Sequence, residues 1–111
     1  MRTVFHCSSS APAAQRHALG NVANLLDAAP GGAVALVANA DAVDLLCTGS
    51  PDPDRVGALA DRGVRFLACE NALAARDRDP SALLPGVEST PAGVATLSRL
   101  QSAGYAYLKV P

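Results

Sequence analysis

A chain of 111 residues, half of them apolar, makes one domain (residues 1–111) whose core needs no disulfide or metal to hold it. Nine Lys and Arg against ten Asp and Glu give a formal net charge of −1 without any basic block, which excludes an electrostatic footprint for nucleic acid. No apolar run approaches the roughly 20 residues of a transmembrane helix, and the short apolar stretch after Met1-Arg2-Thr3 is no secretory h-region, so no membrane partner and a cytoplasmic location are expected.

Arg2 to Cys7 reads as a first strand, with Val4 and Phe5 apolar. Ser8-Ser9-Ser10 offers hydroxyl caps, and Pro12 suits a first helical turn. Ala18, Val22, Leu25, Leu26 and Ala29 then recur at helical spacing until Pro30-Gly31-Gly32. Ala33 to Ala38 is uninterrupted apolar sequence, as a strand buried on both faces requires, with Asn39 at its carboxyl end. Asp41 stands where it would cap a short helix through Ala42, Val43, Leu45 and Leu46. After the loop from Thr48 to Pro53, the residues Val56, Leu59 and Ala60 mark another, stopped by Gly63.

Val64 to Ala68 reads as the third strand, and Glu70 to Arg76 as a helix carrying Ala72, Leu73 and Ala75. Asp79-Pro80 opens a brief helical turn reaching Leu84; Pro85-Gly86 breaks it, and Val87 to Ser89 is a short fourth strand. Thr90-Pro91 opens a last helix with Val94, Leu97 and Leu100 on one face, closed by Gly104, before a final strand from Tyr105 to Val110. Strands and helices alternating at this spacing predict βαβ units and an α/β fold with a five-stranded, mostly parallel sheet.

In such a sheet the carboxyl ends of the strands share one edge, where ligands bind. That edge gathers Cys7 and Ser8 to Ser10, then Asn39, then Cys69, Glu70 and Asn71, then Ser89 and Thr90. Cys69 is central: it stands where a strand turns into a helix, and partial positive charge at a helix amino terminus favours a thiolate. The candidate nucleophile is therefore Cys69, with Ser8, Asn39, Glu70, Asn71 and Thr90 as candidate ligand-binding residues. Each has a plainer reading beside this one. Serine, Asp41 and Thr90 are good caps without chemistry, Cys7 and Cys47 read as packing, and burial is the rival explanation of Cys69 itself. Glu70 opposes a thiolate next to it unless its carboxylate turns away.

Three cysteines are an odd number with no C-x-x-C spacing, which argues against a disulfide framework or structural zinc and for reduced thiols. His6 and His17 show no metal-ligand spacing with Cys69, so no metal is expected. No cofactor is expected either: Gly31-Gly32 precedes a strand, and no phosphate-binding glycine motif occurs. His17, Asn21 and Asn24 form a polar stripe that reads as a solvated face, and Tyr105 and Tyr107 share one face of the last strand. An aromatic-poor core of Ala, Val and Leu, with that tyrosine face to cover, suggests self-association.

The chain resembles the DsrE/DsrF-like family of small sulfur-metabolism proteins. The resemblance is carried by Thr3-Val4-Phe5-His6, by Asn21 to Leu26, by Val37-Ala38-Asn39, by Phe66-Leu67-Ala68-Cys69-Glu70-Asn71-Ala72-Leu73, and by Gly93-Val94 through Leu100-Gln101 to Gly104-Tyr105-Ala106-Tyr107. The Cys-x-Asn segment and the closing Gly-Tyr-Ala-Tyr are its more specific pieces. It implies a three-layer α/β/α sandwich and a homo-oligomer, trimer or hexamer. It also implies a persulfide carried on a cysteine after a mid-chain strand, where Cys69 stands, with Arg76 at the end of the following helix in keeping. Partners would then be a sulfur donor or acceptor protein. The chain lacks the longer loops by which sulfur-relay members contact partner subunits. A sulfur carrier loaded at Cys69 is the reading that follows. The rival readings are a non-catalytic module binding a small ligand at the carboxyl edge of the sheet, and a structural oligomer.

Overall fold

In the computed structural model, which describes Met1 to Pro111, the chain begins with β1 (Arg2–Cys7), α1 (Pro12–Ala28), β2 (Ala33–Ala38), a 3₁₀ segment (Ala40–Leu46) and α2 (Pro53–Asp61). It continues through β3 (Arg65–Cys69), α3 (Glu70–Ala75), a 3₁₀ turn (Pro80–Ala82), β4 (Val87–Thr90), α4 (Gly93–Ser102) and β5 (Ala106–Lys109). The strands form one sheet in the order β4-β3-β2-β1-β5, and every neighbouring pair is parallel. The uninterrupted apolar run is the central strand, β2, buried from Val34 to Ala38. Alternation along the strands sends Phe5, Leu36 and Phe66 to one face and Val4, Val37 and Leu67 to the other.

The two faces are covered unequally. Ala18, Leu19 and Val22 of α1, Val56 and Leu59 of α2, and Ala72 and Leu73 of α3 close the first over a continuous core. Only α4 lies on the second, where Leu97 packs on Val4, Ala35, Val37 and Leu67. This follows from topology: β4 and β5 are opposite edges of the sheet, so the segment joining them must cross it, and α4 is that crossing. The sandwich therefore has three layers, as expected.

Several local expectations are corrected. The serines do not cap α1: the cap position falls to Ala11, while Ser9 Oγ accepts a hydrogen bond from the Ala11 N–H at 3.1 Å. Buried Gln15 pins that loop by donating to the Ser9 carbonyl at 2.8 Å. Asp41 caps nothing, because the 3₁₀ segment starts one residue earlier with Asn39 at its cap; Asp41 and Asp44 instead take Arg76 in ion pairs. Thr90 is the last residue of β4, and its hydroxyl pairs with that of Thr96 rather than capping α4. Val94, read as part of the buried face of the last helix, is 69% exposed; Gly93, Thr96 and Leu97 face the sheet. The apolar pattern misled here because the residue that approaches the sheet most closely is a glycine.

Phe66 is fully buried in the larger core, so Phe66→Ala is expected to cost about 3–5 kcal/mol. The Arg62–Asp27 ion pair is 46% and 71% exposed, so Arg62→Ala should change stability by less than about 1 kcal/mol. Urea unfolding of the two variants beside the parent chain measures both.

Candidate functional site

The register of the sheet assembles the site. Ala38 lies beside Ala68, and Cys69 lies beside Thr90. Asn39 follows Ala38, so Asn39, Cys69 and Thr90 form a row across the carboxyl ends of β2, β3 and β4. By alternation this row shares the α4 face with Val37 and Leu67. Gly93 sits directly above it: a Cβ at Gly93 would stand 3.3 Å from Val37 Cγ1, 3.4 Å from Cys69 Cβ and 3.5 Å from Asn39 Cβ. A Cβ here would press on Val37 Cγ1 and stand in ordinary contact with Cys69 and Asn39, so the start of the helix lies close against the row. Cys69 is consequently 7% exposed, and it is both the last residue of β3 and the residue preceding α3.

The remaining candidates occupy two neighbourhoods. Glu70 opens α3 and its carboxylate accepts from Ser89 Oγ at 2.9 Å, which ties it to β4. Asn71 follows in the same turn and is exposed. Ser8 lies beyond the end of β1, where Lys109 Nζ donates to its hydroxyl at 2.7 Å; it belongs with β5 and not with the Cys69 row. The other thiols lie apart. Cys7 points to the opposite face, donates to the Pro111 carbonyl at 2.8 Å, and has its pKa pushed up by burial. Cys47 is also fully buried, at a bridge to Leu83, and burial raises it too. Arg76 ends α3 in ion pairs with Asp41 and Asp44.

Sequence reasoning weighed His6 only as a metal ligand and left it out of the site. Its Nε2 lies 2.9 Å from Asn39 Oδ1 and its Nδ1 lies 2.6 Å from the Tyr107 hydroxyl. This chain of hydrogen bonds exists because β5 lies beside β1, with Val4 level with Tyr107 and His6 level with Lys109. The alternation Val4-x-His6 and Tyr105-x-Tyr107 was visible, but which strands are neighbours was not. Burial is the main cause holding the His6 pKa below its ordinary value, with Lys109 adding to it against the Asn39 hydrogen bond. The whole of β2 separates His6 from Cys69, so the two do not form a direct thiol–imidazole pair.

The anticipated pocket at the sheet edge is not open around Cys69. Two cavities flank α4, because one helix cannot cover five strands, and two more lie beside α2. A groove of about 560 Å³ lies over β1 and β5, lined by His6, Tyr107, Val94, Leu97, Ser98 and Gln101 among others. A smaller one of about 230 Å³ lies over β3 and β4, where Leu67, Thr90, Thr96 and Arg99 meet. No three His, Cys, Asp or Glu side chains are placed together to hold a metal ion. No helix is long and apolar enough to cross a membrane.

The sequence model of the DsrE/DsrF-like family matches residues 1–110. The fold is similar to that of MTH1491, a protein of unknown function from Methanobacterium thermoautotrophicum, with a TM-score of 0.93 and 33% identity over 97% of each chain. It is also similar to the ychN protein from E. coli, with a TM-score of 0.83 and 15% identity over 98% of this chain and 99% of that one. No curated protein matches the sequence.

Because the folded state disfavours the charged imidazole, His6 should make stability fall with pH. The loss begins as pH drops through the unfolded value near 6.5 and levels off below the lower folded value. Urea midpoints measured from about pH 7.5 down to about pH 5 should show this slope, and His6→Gln should flatten it.

Proposed function

The chain belongs to the DsrE/DsrF-like family, and from that premise we propose that it carries sulfane sulfur as a persulfide on Cys69. The family is associated with sulfur relay. The observation that carries the assignment to Cys69 is the row in which it stands: a single thiol between Asn39 and Thr90 at the carboxyl edge, while Cys7 and Cys47 are fully buried elsewhere. Glu70, the one carboxylate adjoining the sulfur in sequence, is engaged by Ser89.

In the loading step the Cys69 thiolate attacks the outer sulfur of a donor persulfide. The S–S bond of the donor breaks, a new one forms at Cys69, and the donor leaves as a thiolate. The sulfur brings its oxidation state with it, so no external oxidant is consumed. Asn39, Asn71 and the first N–H groups of α3 would hold the charge on the terminal sulfur. Attack by an acceptor thiolate then returns Cys69 to its starting form. The protein is thus a carrier more than a catalyst with turnover of its own, and its partners are the donor and acceptor of sulfur, working in the cytoplasm.

Self-association belongs to the same reading. Val94 and Tyr107 are exposed on the face that α4 only partly covers, Leu108 is exposed on the other face of the edge strand β5, and a second copy of this chain packed against that edge would cover them. A trimer or hexamer is the form expected from the family.

Two measurements test the proposal. Incubation with a sulfane-sulfur donor should add the mass of one sulfur atom to the intact chain and none to Cys69→Ser, whose melting should move by no more than about 1 kcal/mol in stability. Loading that survives in Cys69→Ser, or a variant that melts far lower, would mark Cys69 as a core residue. Light scattering at micromolar concentration should give a mass well above the 11.2 kDa of one chain. A mass at that value would remove the oligomer.

A further inference from the structure

We propose that the cleft between α4 and the β3–β4 side of the sheet binds a small carboxylate, held by the Arg99 guanidinium and by a free O–H of the Thr90–Thr96 pair. The site is separate from the sulfur reading: it is a cavity of its own, about 230 Å³ in volume, and calls on no property of Cys69.

Thr90 and Thr96 are 4% and 6% exposed, and their hydroxyl oxygens lie 2.5 Å apart. A hydroxyl has one proton to donate and lone pairs with which to accept. The bond between the two threonines spends one of their two protons, whichever of them donates. The pair has one further partner, Arg99, whose Nη2 donates to Thr96 Oγ1 at 3.1 Å and so takes up no proton. One O–H is therefore left without an acceptor, at the wall of a cavity that both threonines line. A buried donor with no acceptor is costly. What this wall lacks is an acceptor inside the cleft.

The charge of the cleft has the same sense. Arg99 forms no ion pair, and from Ser89 to Pro111 the chain holds no Asp or Glu. The carboxylate on the lining is Glu88, and each of its oxygens already accepts from Arg65 at 3.0 Å. Glu70 is engaged by Ser89, which alternates away from Thr90 along the strand. One uncompensated positive charge calls for a singly charged anion, and a planar guanidinium matches a carboxylate through parallel N–H bonds. Leu67 and Leu100 give the cleft an apolar side that suits a short hydrocarbon tail. The volume is below that of cavities that hold drug-sized ligands, which limits the molecule to a few heavy atoms.

The test is titration of the full chain with sodium acetate, against sodium chloride at equal ionic strength, followed by nitrogen-15 NMR of the Arg99 side chain and of the Thr90 and Thr96 amides. Acetate should move these signals along a saturating curve and chloride should not; with so few atoms to bind, a dissociation constant on the order of millimolar is expected. Propionate should bind at least as tightly as acetate, and sulfate more weakly. Arg99→Gln alters an exposed side chain and leaves the core intact; read at the two threonine amides, it should weaken acetate binding about tenfold or more. Changing one threonine leaves the other hydroxyl free to take over, so the second variant is the double change Thr90→Val with Thr96→Val. It keeps the shape of the wall, removes both hydroxyls, and should weaken binding about threefold to tenfold. A response to acetate that is linear, or that chloride matches, would mean that the cleft holds water and diffuse counter-ions only, and overturns the proposal. So does acetate binding that is unchanged in Arg99→Gln or in the folded double variant, or a preference for sulfate over acetate.

Discussion

The close approach of Gly93 to the sheet is the contact on which the rest of the site depends. A helix of ordinary side chains packs on a sheet at about 10 Å, leaving room for a layer of residues between. At Gly93 that layer is missing, and the start of α4 rests on Val37, Asn39 and Cys69 themselves. The thiol is buried, the polar row across β2, β3 and β4 is roofed, and on this face the open space lies at the two flanks of the helix. A side chain at this position would press first on Val37, the tightest of these contacts.

The parallel sheet supplies the other half of the arrangement. Because all five strands run the same way, their polar terminal residues collect on one edge, and register then sorts them. Asn39, Cys69 and Thr90 fall level with one another. Ser8 falls instead beside Lys109 on the far side of β1. The same register explains why His6 hydrogen-bonds Asn39 and lies apart from the sulfur: it is level with Val37, on the strand next to the row.

How much of this was legible in the sequence depended on whether the signal was local. The apolar run Ala33 to Ala38 announced a strand buried on both sides and became the centre of the sheet. The junction at Cys69 was also local, a strand pattern giving way to a helical one within a few residues. What failed were features set by distant partners. The serines after β1 looked like helix caps, but buried Gln15 takes their loop elsewhere. Thr90 looked like a cap and pairs with Thr96. Glycine carries no hydrophobic signal, so the pattern of the last helix pointed to Val94 in place of Gly93. His6 and Tyr107 meet only because β5 crosses to the β1 edge, a choice of topology that periodicity does not encode.

The proposed sulfur site is easy to tell from the other two thiols, which are fully enclosed and raised by burial. The account is tested most directly by mapping sulfur to residues: the unaltered chain is exposed to a sulfane-sulfur donor, cleaved, and its three cysteine peptides are weighed under conditions that preserve persulfides. The account predicts an added sulfur on the peptide containing Cys69 and none on those containing Cys7 or Cys47. Sulfur on either of the other two, or on none of the three, would contradict it.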